Sequence, residues 1–278
     1  MDVEKIREVF SVMNNAYASY TFQFFLDSME ALGLTKVDLW GGVQHFDPYC
    51  VDTGYIRSTL RKLAERGLSV TAYTPEILAY PYNIASEDDE VRGESIAYIE
   101  RNIWIAAQLE APVMLLSPGW GMWDRPKEEA RKRSVDSLAL LAQRAETLGV
   151  RLALEHLTIQ SSNLLNCVGD VQKAVSEIGN PYFGAVLDLG QMSVFGENVS
   201  DYFQALGDKV FVVHMMDGGP QGHLAFGDGV LPLQQYYADL QACGYRGPIT
   251  LEINDGRYAR DPHHALQQCV AALRCWEG

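Results

Sequence analysis

The segment RLALEHLT, residues 151 to 158, places a run of apolar side chains directly before a carboxylate. Residues 152–154 are a continuous apolar run that follows Val150 and Arg151, which is typical of a parallel strand covered on both faces. Glu155 and His156 then end the run. A buried strand that ends on a charged residue is typical of folds whose chemistry lies at the carboxyl ends of their strands.

The order of helix, glycine and apolar strand recurs along the chain. Glycine stands where the end of a helix requires a residue that tolerates positive φ. Six junctions contain it, namely ALGLTKVDLW, ERGLSVTAY, TLGVRLALE, EIGNPYFGAVLD, ALGDKVFVVH and ACGYRGPITLE. The junction QLEAPVMLLS lacks the glycine but has the same form.

This rhythm predicts eight strands and eight helices in one α/β domain spanning residues 1–278. Strands are expected near residues 12–18, 36–40, 69–73, 112–117, 150–155, 183–188, 209–214 and 248–253. Helices are expected near residues 21–32, 54–66, 89–109, 127–148, 168–178, 200–206, 232–243 and 262–275. Such alternation favours a (β/α)8 TIM barrel. An open doubly wound sheet is the alternative, but no GxGxxG motif follows an early strand.

Charge and cysteine content exclude several classes of protein. Lysine and arginine number 22 against 36 acidic residues, and the net charge of −14 repels nucleic-acid phosphates. The five cysteines are scattered and form no CxxC pair, which argues against a disulfide framework or a structural zinc site and favours the cytoplasm. The sequence shows neither a signal peptide nor a membrane-spanning run. We therefore expect a soluble protein with no nucleic-acid or membrane partner.

The last four predicted strands each end on a candidate metal ligand. A single carboxylate in such a place is more often a helix cap, and a single histidine is more often a hydrogen-bonded core residue. Four such residues at the open end of one barrel favour a metal site, because clustered buried acids are energetically costly without a neutralising cation. Mostly oxygen donors with one imidazole predict Mn²⁺, Mg²⁺, Co²⁺ or a catalytic Zn²⁺. The predicted ligands are Glu155, Asp188, His214 and Glu252.

With these residues in place, the chain resembles the sugar isomerase/epimerase superfamily of xylose isomerase-like TIM barrels. That superfamily carries a glutamate, aspartate, histidine and glutamate quartet on strands five to eight, which matches the four residues by type and order. Within it, the chain is similar to the fructoselysine 3-epimerase and ketose 3-epimerase branch. The shared motifs are DLWGG followed by His45, YTPE (73–76), YPYN (80–83), LEHLT, HMMD (214–217) and His223 before GDG (227–229).

The resemblance implies a metal-dependent isomerase that inverts the carbon beside the carbonyl of a ketose or ketosamine. The cation would chelate the carbonyl and the neighbouring hydroxyl oxygen and so stabilise an enediolate. Glu155 and Glu252 would be the catalytic pair, one removing the proton and the other returning it on the opposite face. A small sugar substrate and a homo-oligomer, a dimer or a tetramer, are expected.

Three positions depart from that branch where it binds the far end of its substrate. Free-ketose 3-epimerases carry a histidine three residues after the metal aspartate and an arginine six residues after the metal histidine, whereas this chain has Gln191 and Pro220. Both the free-ketose and the fructoselysine enzymes have a glutamate at the position of Ser161. The metal ligands and the catalytic pair are retained.

Five further residues are candidates for substrate binding. His45 and Glu76 follow predicted strands two and three, where they would reach substrate hydroxyls or simply be solvated. Asp217 and His223 flank the loop GGPQGHLAFGDG, which would cover the site, cradle an anion or serve as a connector. Trp120 would stack on a sugar, or else form a subunit contact or a hydrophobic lid.

Several alternative functions share the barrel. Aldose–ketose isomerisation and inosose-type dehydration use the same metal site and begin from the same enolate. An abasic-site endonuclease requires additional histidine ligands for three zinc ions and a basic surface, and six histidines with a charge of −14 fit it poorly. A non-catalytic sugar-binding barrel would keep its ligand affinity after metal removal.

Overall fold

Eight parallel strands close into a barrel in the computed structural model, which describes residues 1–77, 81–218 and 222–276. Each strand pairs with its neighbours in sequence, and the first strand pairs with the last to close the barrel. The strands are β1 (Phe10–Met13), β2 (Lys36–Gly41), β3 (Ser69–Pro75), β4 (Val113–Leu116), β5 (Arg151–Leu154), β6 (Phe183–Asp188), β7 (Val210–Met215) and β8 (Ile249–Leu251).

Helices surround the barrel and, in the described ranges, follow the order α1 (Val3–Val9), α2 (Phe22–Leu32), α3 (Val43–Phe46), α4 (Thr53–Ala64), α5 (Asp89–Gln108), α6 (Lys127–Thr147), α7 (Val168–Ile178), α8 (Leu189–Val194), α9 (Val199–Leu206), α10 (Leu233–Ala242) and α11 (Pro262–Cys275). The prediction of a (β/α)8 TIM barrel is confirmed. Short 3-10 helices cover Asn14–Tyr17, Gly207–Lys209 and Gly256–Tyr258. None of the helices in these ranges has the length and apolar composition needed to cross a membrane.

The strands are apolar on both faces because two separate layers cover them. One layer fills the barrel interior with seven side chains, Ala72, Val113, Leu115, Ala153, Val186, Phe211 and Val212. A second and larger layer lies between the strands and the surrounding helices. Every residue of β6 and β7 is buried as a result. This explains the continuous apolar runs and leaves the strand ends as the place for polar chemistry.

The first strand was predicted at residues 12–18, and this placement is wrong. Strand β1 ends at Met13, and residues 14–17 form a 3-10 helix. Asn14 ends the extended run because its side-chain Oδ1 accepts a hydrogen bond from the backbone N–H of Trp40 at 2.7 Å. The prediction also missed three short helices, α1, α3 and α8, whose apolar faces are too small to give a helical period.

The junction that lacks glycine shows why the other junctions have it. Glu110 follows α5 with φ of 56°, and it is the one non-glycine residue of the described ranges with positive φ. Gly33 and Gly179 occupy the equivalent positions after α2 and α7, with φ of 70° and 62°. A residue with a Cβ is strained in this conformation, by about 1–2 kcal/mol.

Replacing Glu110 with glycine is expected to raise the free energy of unfolding by about 0.5–1 kcal/mol, since relief of strain exceeds the entropic cost of glycine. Glu110→Ala removes the same side chain but keeps the strain, so it should remain near the wild type. Urea unfolding of the three proteins measures the difference. Equal stability of the two variants would show that the left-handed conformation carries no cost here.

Candidate metal centre

The four predicted ligands meet at the carboxyl ends of consecutive strands. One ligand atom from each of Glu155, Asp188, His214 and Glu252 lies within 4.8 Å of the others. Asp188 and His214 are register partners on β6 and β7, and Glu155 and Glu252 immediately follow β5 and β8. The barrel thus brings together residues that are almost a hundred positions apart in the sequence.

The imidazole of His214 lies at the centre of this cluster. Its Nδ1 atom is 2.9 Å from Glu252 Oε2 and 3.6 Å from Glu155 Oε1. Its Nε2 atom faces the other way, 3.4 Å from Asp38 Oδ2. Burial would lower the pKa of His214, but Glu252, Asp38 and Glu155 raise it well above its usual value. A protonated His214 therefore offsets part of the acidic charge when no metal is bound.

Several polar atoms of the cluster are buried without a hydrogen-bond partner in the described part of the chain. They are Asp188 Oδ2, Glu252 Oε2 and both ring nitrogens of His214. Leaving such atoms unsatisfied costs about 1–3 kcal/mol each, and more for charged groups. A divalent cation would supply the missing partner for the carboxylate oxygens and for one ring nitrogen. Three carboxylates with one imidazole also match the donors that Mn²⁺, Mg²⁺, Co²⁺ or catalytic Zn²⁺ accept.

The pKa values of the two strand-end acids on β5 and β6 shift in opposite directions. Burial raises the pKa of Glu155 to about 7, against the opposing effect of His214. Burial would also raise the pKa of Asp188, but His223 and His214 outweigh it and hold that pKa below its usual value. Asp188 Oδ1 accepts a hydrogen bond from the backbone N–H of Gln191 at 2.7 Å and caps α8. Only its second oxygen remains free for a cation.

His223, one of the predicted substrate-binding residues, reaches the cluster from the loop after β7. Its Nε2 atom lies 3.6 Å from Glu252 Oε2 and 3.8 Å from Asp188 Oδ2. Burial would lower its pKa, but Glu252 and Asp188 outweigh this effect and raise it to about 9. His223 is therefore a second positive charge beside the acids and a hydrogen-bond donor at the site.

A cavity of about 340 Å³ opens above the cluster, and Glu155, His214 and Glu252 form part of its wall. Glu76, another predicted residue, also lines it, and the carboxylate of Glu76 accepts a hydrogen bond from Trp40 Nε1 at 3.2 Å. Sequence reasoning missed the other polar side chains of the wall. These are Asn15, Thr74, Ser117 and Asn254. Asn254 had a usable signal, because it follows Glu252 by two positions at the same strand end.

His45 does not reach this cavity. Its side chain is buried, and both ring nitrogens are engaged. The Nδ1 atom lies 2.9 Å from Asn14 Nδ2, and the Nε2 atom lies 2.7 Å from the backbone oxygen of Tyr20. The structure places His45 as an anchor between the β1 and β2 ends rather than as a ligand of the cavity.

Asp217 and Trp120 also lie outside the cavity wall. The Asp217 carboxylate accepts backbone N–H groups of three residues in its own loop, Gly218, Gly227 and Leu231. It shapes the loop, and those N–H groups are not available to cradle an anion. The backbone of Trp120 is held by the side chain of Asn83 through two hydrogen bonds.

Two of the three positions that depart from the epimerase pattern, Gln191 and Ser161, lie in the described ranges. Gln191 Oε1 accepts a hydrogen bond from the backbone N–H of Thr158 at 2.8 Å, which ties the β5 and β6 loops together. Ser161 is exposed in a turn. Pro220, and Tyr80 of the YPYN motif, lie outside the described residues.

A family model described as xylose isomerase-like TIM barrel matches residues 26–275. The chain is 30% identical over 252 residues to the fructoselysine 3-epimerase of Shigella flexneri, covering 90% of this chain and 91% of that protein. It is 27% identical over 174 residues to an L-ribulose-5-phosphate 3-epimerase of Shigella flexneri serotype 5b, covering 62% of this chain and 60% of that protein.

Among solved structures, a D-psicose 3-epimerase crystallised in the presence of D-fructose superposes with a TM-score of 0.80. The superposition covers 96% of this chain and 97% of that one at 17% identity. At this identity the similarity shows the fold alone.

Replacing Asp188 with asparagine is expected to weaken Mn²⁺ binding by at least about 100-fold, beyond the roughly 10–100-fold seen when only an outer contact is lost. Calorimetric titration of the purified protein with Mn²⁺ measures this affinity. Asp201→Asn is the matched control, because Asp201 is an acid in the first turn of a helix that lies away from the cluster. Equal affinity of the Asp188 and Asp201 variants would remove Asp188 from the ligand set.

Proposed function

Because the chain belongs to the xylose isomerase-like TIM barrel family and is related along 90% of its length to a fructoselysine 3-epimerase, we propose that it is a metal-dependent 3-epimerase. Its reaction would invert the carbon beside the carbonyl of a ketose or ketosamine. The observation that carries the proposal is the convergence of Glu155, Asp188, His214 and Glu252 in one cluster, three of whose members line the cavity.

Glu155 and Glu252 supply the acid–base chemistry. They follow β5 and β8, which are separated in the barrel by β6 and β7, so they approach a bound sugar from different sides. Inversion needs one group to remove a proton and another to return it on the opposite face. In the metal-free protein, burial raises the pKa of Glu155 to about 7, so its carboxyl group is able to take up a proton near neutral pH.

The residues of the cluster also hold the cation and orient the substrate. Glu155, Asp188, His214 and Glu252 would bind the divalent cation, which when bound stabilises the negative charge that develops on the substrate oxygens. Asp188 is fixed in place by its role as a helix cap. His223, with a pKa of about 9, presents an N–H donor to a substrate hydroxyl beside Glu252.

The charge of the cavity favours a substrate that bears an amine. Three carboxylates line the cavity, and among the described residues of its wall there is no lysine or arginine. The eight residues outside the described ranges contain no basic side chain either. A sugar phosphate would find only the imidazoles of His214 and His223, and both already face carboxylates of the cluster. We assign Glu76 as the partner of a substrate ammonium, with Trp40 holding its carboxylate.

The reducing cytoplasm is part of the proposal, supported by five free cysteines. The predicted dimer or tetramer stays a prediction, as does the choice among Mn²⁺, Mg²⁺, Co²⁺ and Zn²⁺.

Incubation with fructoselysine and with free ketoses in deuterated water tests the function. The proposal expects inversion at carbon 3, uptake of solvent deuterium at that carbon, and loss of both after chelation with recovery on adding Mn²⁺. NMR and mass spectrometry measure all three. Exchange without inversion on every ketose would refute epimerisation, and a dehydrated product or an aldose would assign the dehydratase or isomerase reaction instead.

A glutamine variant serves as the internal control for this test. Glu252→Gln keeps the shape of the side chain but cannot carry the proton, so kcat should fall by about 10²–10⁴-fold. Glu110→Ala, far from the cavity, should turn over normally. A Glu252→Gln enzyme with near wild-type kcat would exclude Glu252 from the proton transfer.

The role of Glu76 predicts a change in substrate preference. Glu76→Gln should lower kcat/KM for fructoselysine by about 10-fold or more, because a hydrogen bond to a charged group contributes about 1.5–3 kcal/mol. Its kcat/KM for a neutral ketose should stay close to wild type. The control is Glu87→Gln, an exposed residue whose partner is Arg125. An equal loss on both substrates would contradict a role in recognising the amine.

A further inference from the structure

We propose that Asp38 is a positioning residue of the metal centre, which keeps a proton on Nε2 of His214 so that Nδ1 presents its lone pair to the cation. This inference rests on the metal centre of the proposed function. Asp38 lies in the middle of β2, where it is the first residue of the DLWGG motif, and it is not one of the four predicted metal ligands.

Asp38 is a fully buried carboxylate whose charge has one candidate partner. It is 0% exposed, between Val37 and Leu39, which are equally buried. Its Oδ2 atom lies 3.4 Å from His214 Nε2, which is ion-pair distance without hydrogen-bond geometry in the metal-free protein, and this is its one ion-pair contact with a described residue. An isolated buried carboxylate is very costly, so its place beside the imidazole requires a compensating interaction.

Two threonine hydroxyls fix the direction of the Asp38 carboxylate. Thr74 Oγ1 donates to Oδ1 at 2.7 Å from β3, and Thr250 Oγ1 donates to Oδ2 at 3.0 Å from β8. Thr250 is the register partner of His214, and its hydroxyl also lies 2.9 Å from Ser11 Oγ on β1. The carboxylate is thus held by one donor from the neighbouring β3 and one from β8, which lies beyond β1, with Oδ2 toward the imidazole.

This arrangement decides which ring nitrogen binds a metal. A neutral imidazole carries one N–H, and the partner of one nitrogen sets the state of the other. Both oxygens of Asp38 accept hydrogen bonds from threonine hydroxyls, so the carboxylate faces the imidazole as an acceptor and the ring N–H belongs on Nε2. The Nδ1 atom then has a free lone pair, and it is this atom that faces Glu252 and Glu155 at 2.9 and 3.6 Å.

The first test is the affinity of the Asp38→Asn variant for Mn²⁺, measured by calorimetry at fixed pH. The amide weakens the hold on the Nε2 proton, so affinity should fall by about 10–100-fold, as for other residues that orient a ligating histidine. Ser137→Ala is the control, since Ser137 is buried on α6 and its hydroxyl donates to the backbone oxygen of Ile84, outside the network of Asp38. It should bind Mn²⁺ like the wild type.

A purely structural role for Asp38 gives a different result. The thermal midpoint of the metal-free protein would fall while Mn²⁺ affinity stayed at the wild-type value, and this would overturn the inference. Wild-type epimerisation, followed in parallel, separates the two proposals. Normal turnover with unchanged affinity in Asp38→Asn leaves the function intact and removes only the role of Asp38.

A second measurement needs no change at Asp38. Long-range ¹H–¹⁵N NMR of the Zn²⁺-loaded wild-type protein reports the state of each histidine nitrogen, with His214 assigned through His214→Gln. The inference requires a protonated Nε2 and a metal-bound Nδ1. The reverse pattern, or a wild-type protein that binds no metal, would overturn it.

Discussion

The repulsion among buried carboxylates at the mouth of the barrel is the constraint on which the rest of the structure depends. Glu155, Asp188 and Glu252 converge where little water can screen them, and in the metal-free protein His214 and His223 are the groups that offset their charge. Two imidazoles do this imperfectly, because several buried oxygens and nitrogens still lack a hydrogen-bond partner in the described ranges. A divalent cation would both neutralise the acidic charge and supply a partner for the unpaired buried oxygens.

The barrel makes this crowding possible by holding the strand ends rigidly. Two apolar layers, one inside the barrel and one beneath the helices, fix the strands from both faces. Asp188 gains further support as the cap of α8, and His214 lies against Asp38 and its threonine partners. The acids are therefore held in position before any ligand arrives, which reduces the reorganisation that binding and proton transfer require.

The sequence was most informative where an ionisable residue stands at the end of a predicted strand. The apolar runs ending in Glu155 and Asp188 predicted the site because the carboxyl ends of parallel strands meet on one side of a barrel. It was least informative for side chains whose partners are backbone groups or remote residues. His45 is saturated by Asn14 and a backbone oxygen, and Asp217 by N–H groups of its own loop, neither of which a motif reveals.

The role of Asp38 was also hidden in the sequence. An acid inside an apolar strand reads as an interruption of the pattern, and its partners Thr74 and Thr250 are far away in the sequence. The misplaced end of β1 has a related cause, since Asn14 turns the chain through a hydrogen bond to Trp40 that only the folded barrel supplies.

Anomalous diffraction from a crystal grown with Mn²⁺ tests the central claim most directly. The account predicts one strong manganese peak at the barrel mouth, about 2.0–2.3 Å from oxygens of Glu155, Asp188 and Glu252 and from Nδ1 of His214. Four side chains that point apart, with no manganese among them, would contradict it.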